Sequence, residues 1–282
     1  MPHVSTAAAD TALPPAVACS VQGGIATLTM MRSKQRNPFS PEFQADMAHH
    51  LREIRGREDI DALILTGADG IFSAGGDVKG MSQSHAVTSP PVERNRTRIH
   101  KLHDWLQILR TIEIPVIAAV DGPAYGGGFG LALCADFILC TPRARFCSVF
   151  CRIGVIPDCS VLFTLPRMIG MQRAKEIMYT GRPVDAAEAK AIGIVMDVVA
   201  PEQLMPASLA LAKRMQQSSR AAFGITKRIA NQAFDVDASA HIEMEAAGQA
   251  ICLASDYHKD AARRFAEKRP LRFNWERPEA AE

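Results

Sequence analysis

Charge of one sign is the first thing this sequence lacks. Its 282 residues carry 32 Lys and Arg against 30 Asp and Glu, a formal net of +2. Nucleic-acid and membrane-surface binding usually leave a basic excess, so neither is expected as a partner. The seven cysteines include no C-x-x-C pair. The spacings from Cys134 to Cys159 fit no zinc pattern, which leaves free and mostly buried thiols and no metal. No apolar run approaches the 18 or more residues of a membrane span. Residues 1–18 have no basic stretch followed by an apolar core, so no secretory signal is expected and a cytoplasmic protein is. Missing too are G-x-G-x-x-G at a helix start after the first strand and G-x-x-x-x-G-K-[ST], which removes the usual dinucleotide and P-loop sites. A chain of this length buries enough surface to fold without staples.

What is present reads as strand–helix alternation. Two β-prone runs, Val17–Val21 and Ile25–Met31, flank Gly23-Gly24 and predict a hairpin. Pro41 opens a helix to about Arg57, capped by Ser40, with Phe43, Met47, Leu51 and Ile54 on one face. Ala62–Leu65 and Val116–Val120 are short apolar strands. Between them a polar stretch, Gly80 to Asn95, is expected to be mobile and to precede a helix from about Arg96 to Leu109. Further strands are expected at Phe137–Cys140, at Arg145–Phe146 and across Ile194–Val199. The remainder is helical in character. The pattern predicts an α/β fold with a tail over 1–18, a core over 19–200 and a helical C-terminal region over 201–282.

Two glycine-rich loops each follow a buried-looking strand: Phe72-Ser73-Ala74-Gly75-Gly76-Asp77 and Asp121-Gly122-Pro123-Ala124-Tyr125-Gly126-Gly127-Gly128. Ligands in open α/β folds sit beyond the carboxyl ends of strands. Glycines at a helix start expose backbone N–H groups at the positive end of its dipole. Two such loops facing each other would place one N–H apiece on a single carbonyl oxygen, an oxyanion hole. The same glycines would also serve tight turns and close packing alone, and the residues by themselves leave both readings open.

The order of motifs decides more. Arg32-Ser33-Lys34-Gln35-Arg36-Asn37 is followed by the two loops. Then come Phe146, Ile153, Gly154, Pro157 and Asp158, the run Gly181–Val195, and Phe265 to Pro270. Together these resemble the crotonase superfamily, the enoyl-CoA hydratases and isomerases, over about Cys19 to Phe273. The resemblance implies a spiral of ββα units with a helical C-terminal trimerisation region, assembled as a homotrimer or a dimer of trimers. It implies an acyl-CoA thioester as substrate, with coenzyme A as part of that substrate and no separate cofactor. The thioester oxygen would be held by the N–H groups of Ala74 and Gly127. Lys34, Ala74, Gly76, Asp77 and Lys268 would meet the CoA portion, although on the residues alone Lys34 and Lys268 read as solvated surface lysines.

The sequence departs from the hydratase pattern at both of its glutamates. The positions are Gly130 and Phe150, and neither side chain can transfer a proton. Asp158 is the carboxylate left in the neighbourhood, a place where dienoyl-CoA isomerase-like and 4-chlorobenzoyl-CoA dehalogenase-like members carry a functional Asp. Its other reading is a cap for the helix beginning near Ser160. His100 and His103, on the helix after the polar stretch, are further acid–base candidates, or ordinary imidazoles. Phe129, Phe146 and Phe150 suggest an apolar acyl pocket. One acid beside an oxyanion hole suits a double-bond shift, because the same group removes and returns the proton. The alternatives are a hydratase with its acid and base in unusual places, a dehalogenase-like or hydrolase-like enzyme, and a non-catalytic thioester-binding protein.

Overall fold

The computed structural model describes residues 14–76 and 92–276. The expected hairpin forms: β1 (Val17–Gln22) pairs antiparallel with β2 (Ile25–Met30), joined by Gly23 and Gly24 with φ of 56° and 76°. Its first strand begins inside the stretch assigned to the tail. Asp46 on α1 (Pro41–Arg55) accepts from the N–H groups of Ala16 and Val17 and ties that strand down. The Ser40 hydroxyl caps α1 by accepting from Phe43 N, and Phe43, Met47, Leu51 and Ile54 are its buried face.

Next come β3 (Ala62–Gly67), α2 (Val92–Thr111), β4 (Val116–Val120), β5 (Pro123–Tyr125) and α3 (Gly127–Leu133). Part of the polar stretch is therefore helical, since α2 opens at Val92; the rest of it lies outside the described residues. The chain continues through β6 (Phe137–Cys140), β7 (Arg145–Cys147), α4 (Val161–Ile169), α5 (Met171–Thr180), β8 (Pro183–Asp185), α6 (Ala186–Ala191) and β9 (Asp197–Val198). The last helices are α7 (Leu204–Gln216), α8 (Arg220–Ala230), α9 (Ala238–Ala254) and α10 (Asp256–Ala266).

Strands β1-β2-β3-β4-β6-β9 form one sheet, parallel from β2 onward, and β5-β7-β8 form a second. The central strands look uniformly apolar because both of their faces are covered. Leu63, Leu65, Val116, Ala118 and Val120 face the main core with α1 and α2. Their alternates Ala62, Ile64, Ile117 and Ala119 pack against Leu204, Leu211, Ala212 and Met215 of α7. Helix α7 is thus the second layer of the sheet, although it falls beyond the boundary drawn at residue 200. By contrast, α9 buries only Gly248 and leaves Ile242, Ile251 and Leu253 exposed. Among the described residues, no helix is long and apolar enough to cross a membrane.

Candidate active site

The segment after β3 is stitched between two neighbours by its own backbone. Phe72 N donates to Asp121 O, Ser73 N to Pro123 O and Tyr125 N to Ser73 O, so the two glycine loops run side by side. From the other side Phe39 N donates to Gly75 O. Asn37 is fully buried, and its Nδ2 donates to Ile71 O and Phe72 O, both at 2.8 Å. Ser73 Oγ donates to Asn37 O and accepts from Gly75 N. The motif running from Arg32 to Asn37 is therefore the clamp that holds the first loop.

The loops touch through glycine. Gly75 has φ +82°, and a Cβ there would lie 2.5 Å from Gly127 N and from Tyr125 O. A Cβ on Gly128 would lie 2.2 Å from Ser73 O. Such contacts are open only to residues without a side chain. The approach sets the N-terminus of α3, with the Gly127 N–H at its head, beside the end of the first loop.

One expected donor changes as a result. The Ala74 N–H is already committed to Arg36 O at 2.8 Å and cannot bind a ligand. The Gly75 N–H is committed to Ser73 Oγ. The next N–H along, that of exposed Gly76, has no acceptor among the described residues, and neither has that of Gly127. Along these loops the N–H groups of Gly76 and Gly127 are thus left without an acceptor among the described residues. Asp77 lies outside the described residues.

The turn carrying Asp158 packs on α3. Cys159 Sγ stands 3.2 Å from where a Gly127 Cβ would be, and the Cys159 Cβ and carbonyl oxygen each stand 2.5 Å from a Cβ on Gly130. A side chain at position 130 would collide with Cys159 unless the turn shifted. Cys159 and Ser160 both have positive φ, 51° and 65°, a cost that L-residues bear only where the surroundings impose it. Gly130→Ala is expected to destabilise the fold by about 1–3 kcal/mol through this overpacking, measured as a shift in denaturation midpoint. An unchanged midpoint would mean that the turn yields easily.

Asp158 itself is half-buried, and α4 has no side-chain cap, so its carboxylate does not cap that helix. Burial first, then the Asp158 charge and hydrogen bond, push the Cys159 thiol well above its ordinary value. Cys134, behind it, is pushed up to about 12 by burial. Both remain protonated and are poor nucleophiles.

The aromatic side of the site was not legible in full. Phe39 stacks on Phe43 with centroids 4.7 Å apart, Trp105 meets both rings edge-on, and the Phe39 ring lies 3.0 Å from a Gly127 Cβ position. Phe150 also reaches the loops, 3.8 Å from a Gly126 Cβ position. Phe129 and Phe146 do not belong to a pocket wall. Both are fully buried and pack on each other at 5.7 Å inside the main core.

On α2 the face turned to the core carries Leu102, Trp105 and Leu109. Arg98, on the same side by helical spacing, is felt as a charge by Cys159. His100 is exposed, His103 is half-buried, and both lie off that face. Lys34 is exposed on the turn Ser33–Gln35, which contacts the first loop's approach through Ser33 Oγ and Asp69. Lys268 is exposed just beyond α10, and no contact ties it to the loops among the described residues. No three His, Cys, Asp or Glu side chains among those residues gather so as to hold a metal ion.

The family described as enoyl-CoA hydratase/isomerase matches residues 20–277. The chain belongs to that family. It is 30% identical to crotonyl-CoA hydratase of Syntrophomonas wolfei, over 88% of this chain and 94% of the relative. It is 29% identical to 1,2-epoxyphenylacetyl-CoA isomerase of Escherichia coli K12, over 90% and 96%. Among solved structures, an enoyl-CoA hydratase/isomerase from Cupriavidus metallidurans CH34 superposes with a TM-score of 0.86 at 34% identity, covering 92% of this chain and 96% of that one. This enoyl-CoA hydratase/isomerase family member is thus an enzyme with the crotonase-like α/β fold.

Proposed function

We propose that this enzyme shifts a double bond in an enoyl-CoA thioester, using the Gly76 and Gly127 N–H groups to hold the thioester oxygen and Asp158 to move the proton. The observation that carries the reading is Gly130 packed against Cys159. A two-carboxylate hydration needs an acid and a base on either side of the substrate. One of those positions has no room for any side chain, and the other is Phe150.

The step balances with one acid. The Asp158 carboxylate takes a proton from the carbon next to the thioester carbonyl or from the vinylogous carbon. The electron pair moves onto the thioester oxygen, where two N–H groups that need no reorganisation stabilise it. The protonated Asp158, whose carboxyl proton exchanges with solvent while the dienolate is held, then protonates the other carbon, and the double bond has moved with no water gained or lost. Phe39 and Phe150, the rings that reach Gly127 and Gly126, would give the acyl chain apolar neighbours, with Trp105 packed behind Phe39. Lys34, exposed on the turn before the clamp residue Asn37, would meet CoA phosphate as a point charge. The exposed apolar residues of α9, with Phe234 and Phe265 nearby, suit the homotrimer or dimer of trimers that the resemblance implies.

The test is exchange and conversion in D2O. The purified enzyme is incubated with 2-enoyl-, 3-enoyl- and dienoyl-CoA thioesters while mass and double-bond position are followed. Bond migration with deuterium uptake and no gain of water is the expected result. A gain of one water on the same substrates would replace this reading with hydration.

A further inference from the structure

Away from the glycine loops, a cleft of about 810 Å³ opens between the ends of α1 and α2, the outer face of α4 and helix α8. That volume lies within the range of small-ligand sites. Its lining is strongly one-sided in charge. Arg55, Arg110, Arg220 and Arg228 face it, against the carboxylates of Glu113 and Asp235.

Those two carboxylates are already engaged. Glu113 pairs with Arg228 at 3.0 Å, and Asp235 pairs with Arg167 at 2.6 Å. Arg220 donates to Glu58 O and stands 3.8 Å from Asp61. Arg110 and Arg55 have no ion-pair partner among the described residues. Arg110 is half-buried, and its guanidinium lies 4.2 Å above the Phe163 ring, which Arg167 also covers at 3.5 Å. Two like charges are thus held against one ring at the cleft wall. Burial, with the Arg167 charge adding to it, disfavours the charged form of Arg110, while Cys134 and Asp235 oppose the effect only in part. A half-buried cation without a partner is costly unless an anion completes it.

We propose that this cleft binds a compact polyanion of the oligophosphate class. Guanidinium forks match phosphate oxygens in pairs, which a point charge cannot do. The apolar wall is small, and the Phe163 ring is taken up by guanidiniums, so neither a stacked base nor an acyl chain finds a surface there. The site is separate from the acyl-CoA site and does not depend on the reaction assigned above.

Calorimetric titration of the full-length protein with inorganic tripolyphosphate at low ionic strength tests it. One saturable event per chain is expected, weakened roughly tenfold or more in Arg110→Gln through the lost charged hydrogen bonds. It should persist in the presence of saturating acyl-CoA. Arg55→Gln, at an exposed position, supplies a second variant should Arg110→Gln fold poorly by circular dichroism, and it is expected to weaken binding about threefold, with salt screening the remainder. Equal affinity in the folded variants overturns the proposal, as does displacement by acyl-CoA or the absence of saturable binding. Citrate binding without tripolyphosphate binding would overturn the assigned ligand class.

Discussion

Asp158→Asn is expected to lower turnover on the preferred enoyl-CoA by roughly 10²–10⁴-fold, the usual worth of a positioned acid–base group. Substrate affinity should stay close to that of the parent. The proposed oxyanion donors are backbone N–H groups, of Gly76 and Gly127, and do not depend on residue 158. Stability should also hold, since the Asp158 carboxylate does not cap α4 and the turn is fixed by its packing on α3. The measurement is kcat and the dissociation constant together, with deuterium exchange at the carbon next to the carbonyl as a second readout. Lost turnover with retained binding and lost exchange assigns the proton transfer to Asp158. Full turnover on every thioester the parent accepts would remove Asp158 from the chemistry and turn attention to His103 or to a bound water.

The fold was legible where a local signal sufficed. Gly23-Gly24 between β-prone runs specifies a hairpin, and Ser40-Pro41 with a four-four-three apolar spacing specifies α1; both formed as read. Local signal failed at the end of the α/β core. Ile194 and Val195 look like the start of a strand, yet both of their N–H groups bond to Ala189 O in α6. The chain joins the sheet only from Met196, whose N–H donates to Ile138 O, through the strand Asp197–Val198 to Val199, whose N–H donates to Cys140 O. The three-residue strand Pro183–Asp185 is too short to declare itself against its proline.

The site divides in the same way. Which residue stands at a loop position, such as Gly130 or Phe150, is a property of that position alone and can be read directly. Which N–H remains open is not such a property. Ala74 loses its donor to Arg36 and Gly75 loses its own to Ser73, so the open donor moves two residues along. Likewise the sequence reads Gly130 as standing at the place of an acid, but only packing shows that Cys159 fills the space beside it. Phe129 and Phe146 read as pocket residues, but helix α3 buries the first and strand β7 the second in the main core. Where function depends on a residue's own chemistry the sequence is informative; where it depends on which of several equal groups is left over, the answer lies in long-range hydrogen bonds.

The largest stability effect is expected at a residue far from the reacting atoms. Lys227 on α8 is buried and donates to Leu109 O at 3.2 Å, Ile114 O at 3.3 Å and Asp136 Oδ2 at 2.7 Å, which uses all three of its protons. One ammonium thereby joins α8 to the end of α2 and to the entry of β4. Asp136 is held in turn by Val116 N at 2.8 Å. Lys227→Met keeps the length of the stem but strands a buried carboxylate and two carbonyls, and it should cost about 3–5 kcal/mol. Arg228, the next residue, forms an exposed pair with Glu113 at 3.0 Å, and Arg228→Met should cost only about 0–1 kcal/mol. Denaturant midpoints of the two variants, compared side by side, check the contrast. Adding Asp136→Asn to Lys227→Met should recover part of the loss, because the stranded charge is then gone. If Lys227→Met proves no worse than Arg228→Met, the buried pair does not hold α8 to the core, and the contacts of the helix face alone would have to do so.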